Sequence, residues 1–181
     1  MRQSQHVATR FPTTTDFDAG TIERLSDLIN EAYDDAESGM WKGRVKRTTP
    51  DEVERLLRAR ALILAEIDGV IVGCVYVNLM SDGVGAFGML AADLDSRGVG
   101  IGSALVDRAE HWARDMGCHT MQLELLTPRN WAHSSKEFLK KWYSRMCYVP
   151  QTTEPLERRH PELAPELATE CDFTVWHKSL V

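Results

Sequence analysis

The sequence predicts a mixed α/β fold: a central, mostly antiparallel sheet of about seven strands flanked by about four helices. Three observations carry that expectation. Residues 61–92 read as three consecutive strands joined by tight turns. From residue 101 the apolar spacing changes to that of a helix. One strand, one helix and two further strands then complete the chain.

The elements follow in order. Residues 7–11 suit a short first strand, and residues 18–34 a helix with Ile22, Leu25, Ile29 and Tyr33 on one side. A polar stretch, 36–49, holds Gly39, Gly43 and a small basic group of Arg44, Lys46 and Arg47, which reads as a solvated patch. Thr49-Pro50-Asp51-Glu52 starts a second helix, with proline in the first turn and acids beside the positive helix end. That helix ends near Arg60. Strands are expected over 61–67, 70–79 and 84–92. Asp68-Gly69 and Ser81-Asp82-Gly83 turn the chain between them into an antiparallel meander.

Ile101, Leu105, Ala109, Trp112, Ala113 and Met116 recur at helical spacing, and Gly117 stands where the helix should stop. Residues 120–126 alternate, with Met121, Leu123 and Leu125 on one face and Gln122 and Glu124 on the other. Residues 134–146 read as a helix carrying Phe138, Leu139, Trp142, Tyr143 and Met146. A short strand over 148–151 and a final one over 172–177 bracket residues 152–169. That stretch, with three prolines and many acids, reads as a long excursion that closes over a site or packs on a partner. The long helix after the meander predicts one parallel join, between the fourth and fifth strands.

A chain of 181 residues supports one core, so residues 1–181 are expected to form one domain. The formal net charge of −6 argues against a nucleic-acid binder. Cys74, Cys118, Cys147 and Cys171 lie far apart and form no CxxC pair, so no metal site is expected. Residues 1–11 hold no apolar run of a secretory leader, and no stretch is long enough to cross a bilayer. Reduced thiols and a cytoplasmic location are the expectation.

The informative segment is Arg97-Gly98-Val99-Gly100-Ile101-Gly102-Ser103, between a strand and the long amphipathic helix. Glycines let backbone approach a ligand closely and adopt positive φ. The first amides of a helix lack intrahelical partners, and with the helix dipole they suit a phosphate or pyrophosphate. Arg97 can add charge there. The other reading is a tight turn with no ligand. No lysine follows the glycines as in a P-loop, and they come midway after a meander rather than after the first strand of a dinucleotide-binding unit.

Arg97-x-x-Gly100-x-Gly102 resembles the pyrophosphate-binding signature of the GCN5-related N-acetyltransferases, the GNAT family. Leu90-Ala91-Ala92-Asp93 stands where that family has a strand ending in an aliphatic run. Leu123-Glu124-Leu125 stands at its fifth strand, and Trp142-Tyr143-Ser144-Arg145-Met146-Cys147-Tyr148 resembles its aromatic segment after that strand. The pieces occur in order over residues 63–148, with the cofactor-binding core at about 61–150. Cys147 replaces the usual glycine, and the turn before the last helix is longer than usual.

The resemblance implies a GNAT-like acyl-CoA N-acyltransferase fold and an acetyl group moved from acetyl-CoA, as co-substrate, to a primary amine. The fourth and fifth strands should splay. The backbone of Leu90, Ala91 and Ala92 should bond the pantetheine arm, and the amides from Gly98 through Val99, Gly100, Ile101 and Gly102 to Ser103 the pyrophosphate. Asn130 stands where a CoA-contacting asparagine is expected. Tyr143 matches the family's general acid, against the reading of a core aromatic. Glu124 matches a position that serves as base in some members, against a solvent-facing strand glutamate or a water chain. Tyr33, Glu37 and Trp41 would line the acceptor pocket, against a surface loop capped by one tryptophan. His133 reads as a residue that starts a helix and Tyr148 as a packed strand residue. The alternative to an enzyme is a non-catalytic acyl-CoA sensor, which needs the glycine turn but not Tyr143. The acceptor stays open between a small-molecule amine and a peptide amine, and a homodimer is expected on family habit.

Overall fold

The computed structural model describes residues 6–181 apart from Asp82, so residues 1–5 and the middle of the turn expected at 81–83 lie outside it. The strands are β1 Ala8–Arg10, β2 Leu62–Ile67, β3 Val70–Ser81, β4 Val84–Ala92, β5 Thr120–Pro128, β6 Val149–Pro155 and β7 Cys171–Ser179. The helices are α1 Ala19–Ala36, α2 Pro50–Arg58, α3 Ile101–Asp115, α4 Ser134–Arg145 and the one-turn α5 Leu156–Arg159. They form one sheet in the order β1-β2-β3-β4-β5-β7-β6. Every pairing is antiparallel except β4 with β5, because α3 carries the chain back across the sheet to begin β5 beside the start of β4.

Alternation along β2 divides the core. Leu62 and Leu64 join Leu25 and Ile29 of α1 and Val53 and Leu57 of α2 on one face. Ile63 and Ala65 join Leu105, Val106 and Ala109 of α3 and Tyr143 of α4 on the other. Side-chain caps set the helix starts: Asp18 accepts from the Thr21 amide and Thr49 from the Glu52 amide.

The parallel join is short. Val84, Gly85 and Ala86 pair with Thr120, Met121 and Gln122, and nothing beyond Ala86 pairs across. β5 instead follows β7 over its whole length. β4 stays with β3 through a register shift in which Cys74 faces Ala91 and Tyr76 faces Gly88. Met89, inside that shift, has φ of 46°, rare for a side chain of its kind, and such a bulge bends its strand. The sheet is therefore split between β4 and β5 from Phe87 onward.

One expectation needs correction. Residues 152–169 are not an excursion throughout: β6 continues to Pro155, α5 follows, and a short 3-10 turn spans Ala164–Glu166. β6 is an edge strand with exposed, polar residues and prolines at 150 and 155, so it shows no apolar alternation. The segment packs Leu156, Leu163, Ala164 and Leu167 against Met40 and Trp41 of the loop after α1.

At the other edge, Arg10 grips Asp16 through both terminal nitrogens, at 2.7 and 2.8 Å, and bonds Glu66 of β2. The Arg10 bonds hold the buried Asp16 carboxyl at about 2, below its ordinary 3.8. A depressed carboxyl stabilises the fold above its unfolded value and loses that contribution as pH falls through the folded value. Asp16→Asn should thus cost about 2 kcal/mol near neutral pH. The difference should shrink as pH drops from about 4 toward about 2, read by urea unfolding across pH.

Candidate active site

A cavity of about 140 Å³ lies where β4 and β5 part, walled by α1, the loop after it, α4 and the 156–167 segment. Tyr33, Glu37, Trp41, Leu90, Glu124 and Tyr143 all line it, so the structure gathers the expected acceptor-side and catalytic residues around one space. Lys136, Arg47, Leu163 and Phe173 line it as well.

Tyr143 is buried in a cluster of rings, 6.2 Å from Phe87, 5.9 Å from Tyr148 and 5.0 Å from Trp142 by ring centroid. Its hydroxyl makes no hydrogen bond to another described residue, although the residue borders the cavity. Burial pushes that hydroxyl well above the usual tyrosine range, so it keeps its proton. Tyr148, two per cent exposed, donates to the buried Glu110 instead and belongs to the core.

Glu37 is the hub of this wall of the cavity. Its Oε1 accepts from Lys136 Nζ at 2.9 Å and its Oε2 from Trp41 Nε1 at 2.8 Å. The end of α1, the following loop and α4 are tied through one carboxylate. Lys136 is three per cent exposed, a position a lysine tolerates only when paired. His133 caps α4, accepting from the Ser135 amide through Nδ1, which leaves Nε2–H to donate to the Ser38 carbonyl at 3.0 Å. Both ring nitrogens are thereby used in holding the loop to the helix.

Glu124 is not the lone acid the strand pattern suggests. Its carboxylate meets Arg159 of α5 at 2.6 Å, and Arg159 also bonds Glu154. Arg47 is exposed, as expected of the basic patch, but its guanidinium also lies 4.9 Å from the centroid of the Tyr33 ring, at the cavity.

At the far end of β4, Asp93 caps a short turn and the chain reaches α3 through Gly98 and Gly100, at φ of 82° and 89°. Gly100 is the residue before the helix, and its left-handed backbone is one that a branched side chain resists. The Ala104 amide is the first to bond back, to the Gly100 carbonyl, so those of Ile101, Gly102 and Ser103 are open to a ligand. Val99 and Ile101 pack into the core and Ser103 is exposed. Arg97 pairs with Asp35 at the end of α1. Ala91 is buried and Ala92 partly so. Asn130 donates to Glu170 at 3.0 Å, beside the Arg129–Asp172 pair at the start of β7, and is not a wall of the cavity. Among the described residues no group of three His, Cys, Asp or Glu side chains is placed to hold a metal ion.

The family model described as Acetyltransferase (GNAT) family matches residues 23–143, well over half of the chain. The chain belongs to the GNAT acetyltransferase family. No curated protein matches the sequence. Among solved structures, a Salmonella typhimurium protein, yncA, assigned as an acetyltransferase and solved with its cofactor acetyl-CoA, superposes with a TM-score of 0.68 at 14% identity. The match covers 97% of this chain and 95% of that one. The ribosomal-protein-alanine N-acetyltransferase of Brucella melitensis gives 0.67 at 15% identity over 95% and 99%. An N-acetyltransferase of Staphylococcus aureus Mu50 gives 0.64 at 16% identity over 97% and 99%. At such identities the likeness is one of fold.

Lys136, Arg47 and Arg159 were not singled out as site residues from the sequence. A signal for Lys136 existed: residues 136, 139 and 143 lie on one face of α4, the face that carries Tyr143 into the cavity. Arg159 sits in a one-turn helix without periodicity, and Arg47 lies in an irregular loop. The Glu37–Lys136 pair predicts a test in stability. Glu37→Gln should cost about 3 kcal/mol by leaving the buried ammonium uncompensated. Glu37→Gln with Lys136→Met should recover most of it. Equal losses in the single and double variants, measured by urea unfolding, would contradict the coupling.

Proposed function

We propose that this GNAT protein transfers the acetyl group of acetyl-CoA to a primary amine by direct attack of nitrogen on the thioester. The observation that carries the reading is the split between β4 and β5. It opens backbone groups of β4 toward a cavity that Tyr143 lines, while the open amides of α3 lie beyond the end of the same strand. These residues fit the co-substrate. The unpaired edge of β4 at Leu90, Ala91 and Ala92 suits the amide-bearing pantetheine arm, and the amides from Gly98 to Ser103 suit the pyrophosphate. Arg97 would exchange Asp35 for that charge. Structures solved with acetyl-CoA among the neighbours support the same co-substrate.

Acetyl-CoA supplies an activated acyl carbon. The rest falls to the chain. A C–N bond forms as the C–S bond breaks. Tyr143, kept protonated by burial, gives its proton to the leaving sulfur. The proton shed by nitrogen passes to water at the cavity, because Arg159 already engages Glu124. A sensor that only binds acyl-CoA has no use for a partnerless hydroxyl at this position, so the geometry favours catalysis. No described helix is long and apolar enough to cross a membrane, and we take the reaction to be cytoplasmic.

Acetyl-CoA at about 100 times its Kd should stabilise the protein by roughly 2.7 kcal/mol. An unchanged Tm at millimolar acetyl-CoA would remove the basis of the proposal. Gly100→Val should lose that shift while staying folded, since the substitution strains the α3 turn at an open surface. Wild-type affinity in this variant would reduce the turn to a structural device. Tyr143→Phe keeps the ring packing and should lower kcat about 100- to 10,000-fold with little change in acetyl-CoA affinity. An unaltered kcat would leave Tyr143 a core residue.

A further inference from the structure

We infer that the acceptor is a small primary amine that also carries an acidic group, such as an amino acid or an amino acid-like compound, and that Arg47 selects it. The inference rests on the acetyltransferase reading above and adds the acceptor's chemistry to it.

Four charged side chains border the cavity. Glu37 is neutralised by Lys136 at 2.9 Å and Glu124 by Arg159 at 2.6 Å. Arg47 is the remaining one, and among the described residues no ion pair within 4.0 Å engages it. Its guanidinium lies over the Tyr33 ring at the cavity, on a side chain that is otherwise exposed, so N–H groups of the fork are open to solvent or to a ligand. A polyamine or an aminoglycoside needs unpaired carboxylates, and both carboxylates here already have cationic partners. An oxyanion on the acceptor would meet a cation that has no carboxylate partner among the described residues, in the fork geometry that suits a carboxylate or a phosphorus oxyanion.

Size points the same way. The cavity of about 140 Å³ is below the roughly 300–1,000 Å³ of sites for drug-sized ligands. A peptide would need an open groove. That side is strapped shut: the Lys42 amide donates to the Glu166 carbonyl at 2.8 Å and the Ala168 amide to the Met40 carbonyl at 2.9 Å. Lys42 Nζ adds a bond to the Pro165 carbonyl at 2.7 Å. The walls between these charges, Leu126, Leu163 and Phe173, are apolar and suit a hydrocarbon remainder. The transfer converts the neutral amine and the thioester into the N-acetyl acid and free CoA thiol, with one proton moved from nitrogen to sulfur overall.

The test is thiol release from acetyl-CoA across amino acids and amino-phosphinates. Each is paired with its amide and with the amine lacking the acid, and spermidine, an aminoglycoside and a short peptide are included. The best acceptor should bear an acid group and exceed its neutral partner at least about tenfold in kcat/KM, the worth of one charged hydrogen-bonded contact. Arg47→Gln should erase most of that ratio through KM, and Arg47→Lys should restore part of it. With CoA bound, the same acid should raise the Tm of the wild type and not of Arg47→Gln. Preference for spermidine, the aminoglycoside or the peptide would overturn the inference. So would a ratio unchanged in Arg47→Gln, or no turnover of any acid while acetyl-CoA still raises the Tm. Failure of acetyl-CoA itself to raise the Tm would instead strike the underlying acetyltransferase reading, and the inference would fall with it.

Discussion

Beyond Ala86, β4 has a hydrogen-bonded neighbour on one side only, and the arrangement of the rest of the molecule depends on that gap. Two commitments hold it open. β5 spends its whole length on β7, and β4 is bent through Met89 while it stays registered with β3. Neither strand can turn back to the other without breaking an established ladder. Buried backbone groups need partners, so strands parted in this way suit a ligand that brings its own amides. The three residues that do pair across, Val84 to Ala86, keep the split a wedge rather than two separate sheets.

The charges around the wedge are arranged in pairs with one left over. Glu37 gathers α1, the loop at Trp41 and α4 into one wall, at the cost of burying Lys136. Arg159 fixes the one-turn helix after β6 against Glu124 on β5. These pairs sit where a cavity needs rigid walls, and among the described residues they leave Arg47 as the cavity's charge without an ionic partner. On this account the overall charge of −6 says little about the ligand: the charge that matters is the local one.

Much of this was legible in the sequence because it rests on local rules. The meander follows from Asp68-Gly69 and alternating strands, and α3 follows from Ile101, Leu105, Ala109 and Ala113. Gly98 and Gly100 announced positive φ, which both adopt. Pair partners were not legible. Glu124 looked solitary on β5 because Arg159 is distant in sequence, and Lys136 drew no notice because its partner Glu37, just past the end of α1, is distant too. β6 was cut short because an exposed edge strand with two prolines carries no apolar period. Arg47 read as solvated, and it is exposed, but the sequence could not show that the fold brings Tyr33 beneath it.

In the proposed reaction the unpaired edge of β4 and the first turn of α3 together receive acetyl-CoA. Amide hydrogen exchange, with and without the co-substrate, addresses both segments at once. Protection should rise within residues 87–92 and 98–104 and stay near its free value in β1 and β2. Acetyl-CoA that binds without slowing exchange in residues 87–92, or that protects a different part of the sheet, would contradict the account.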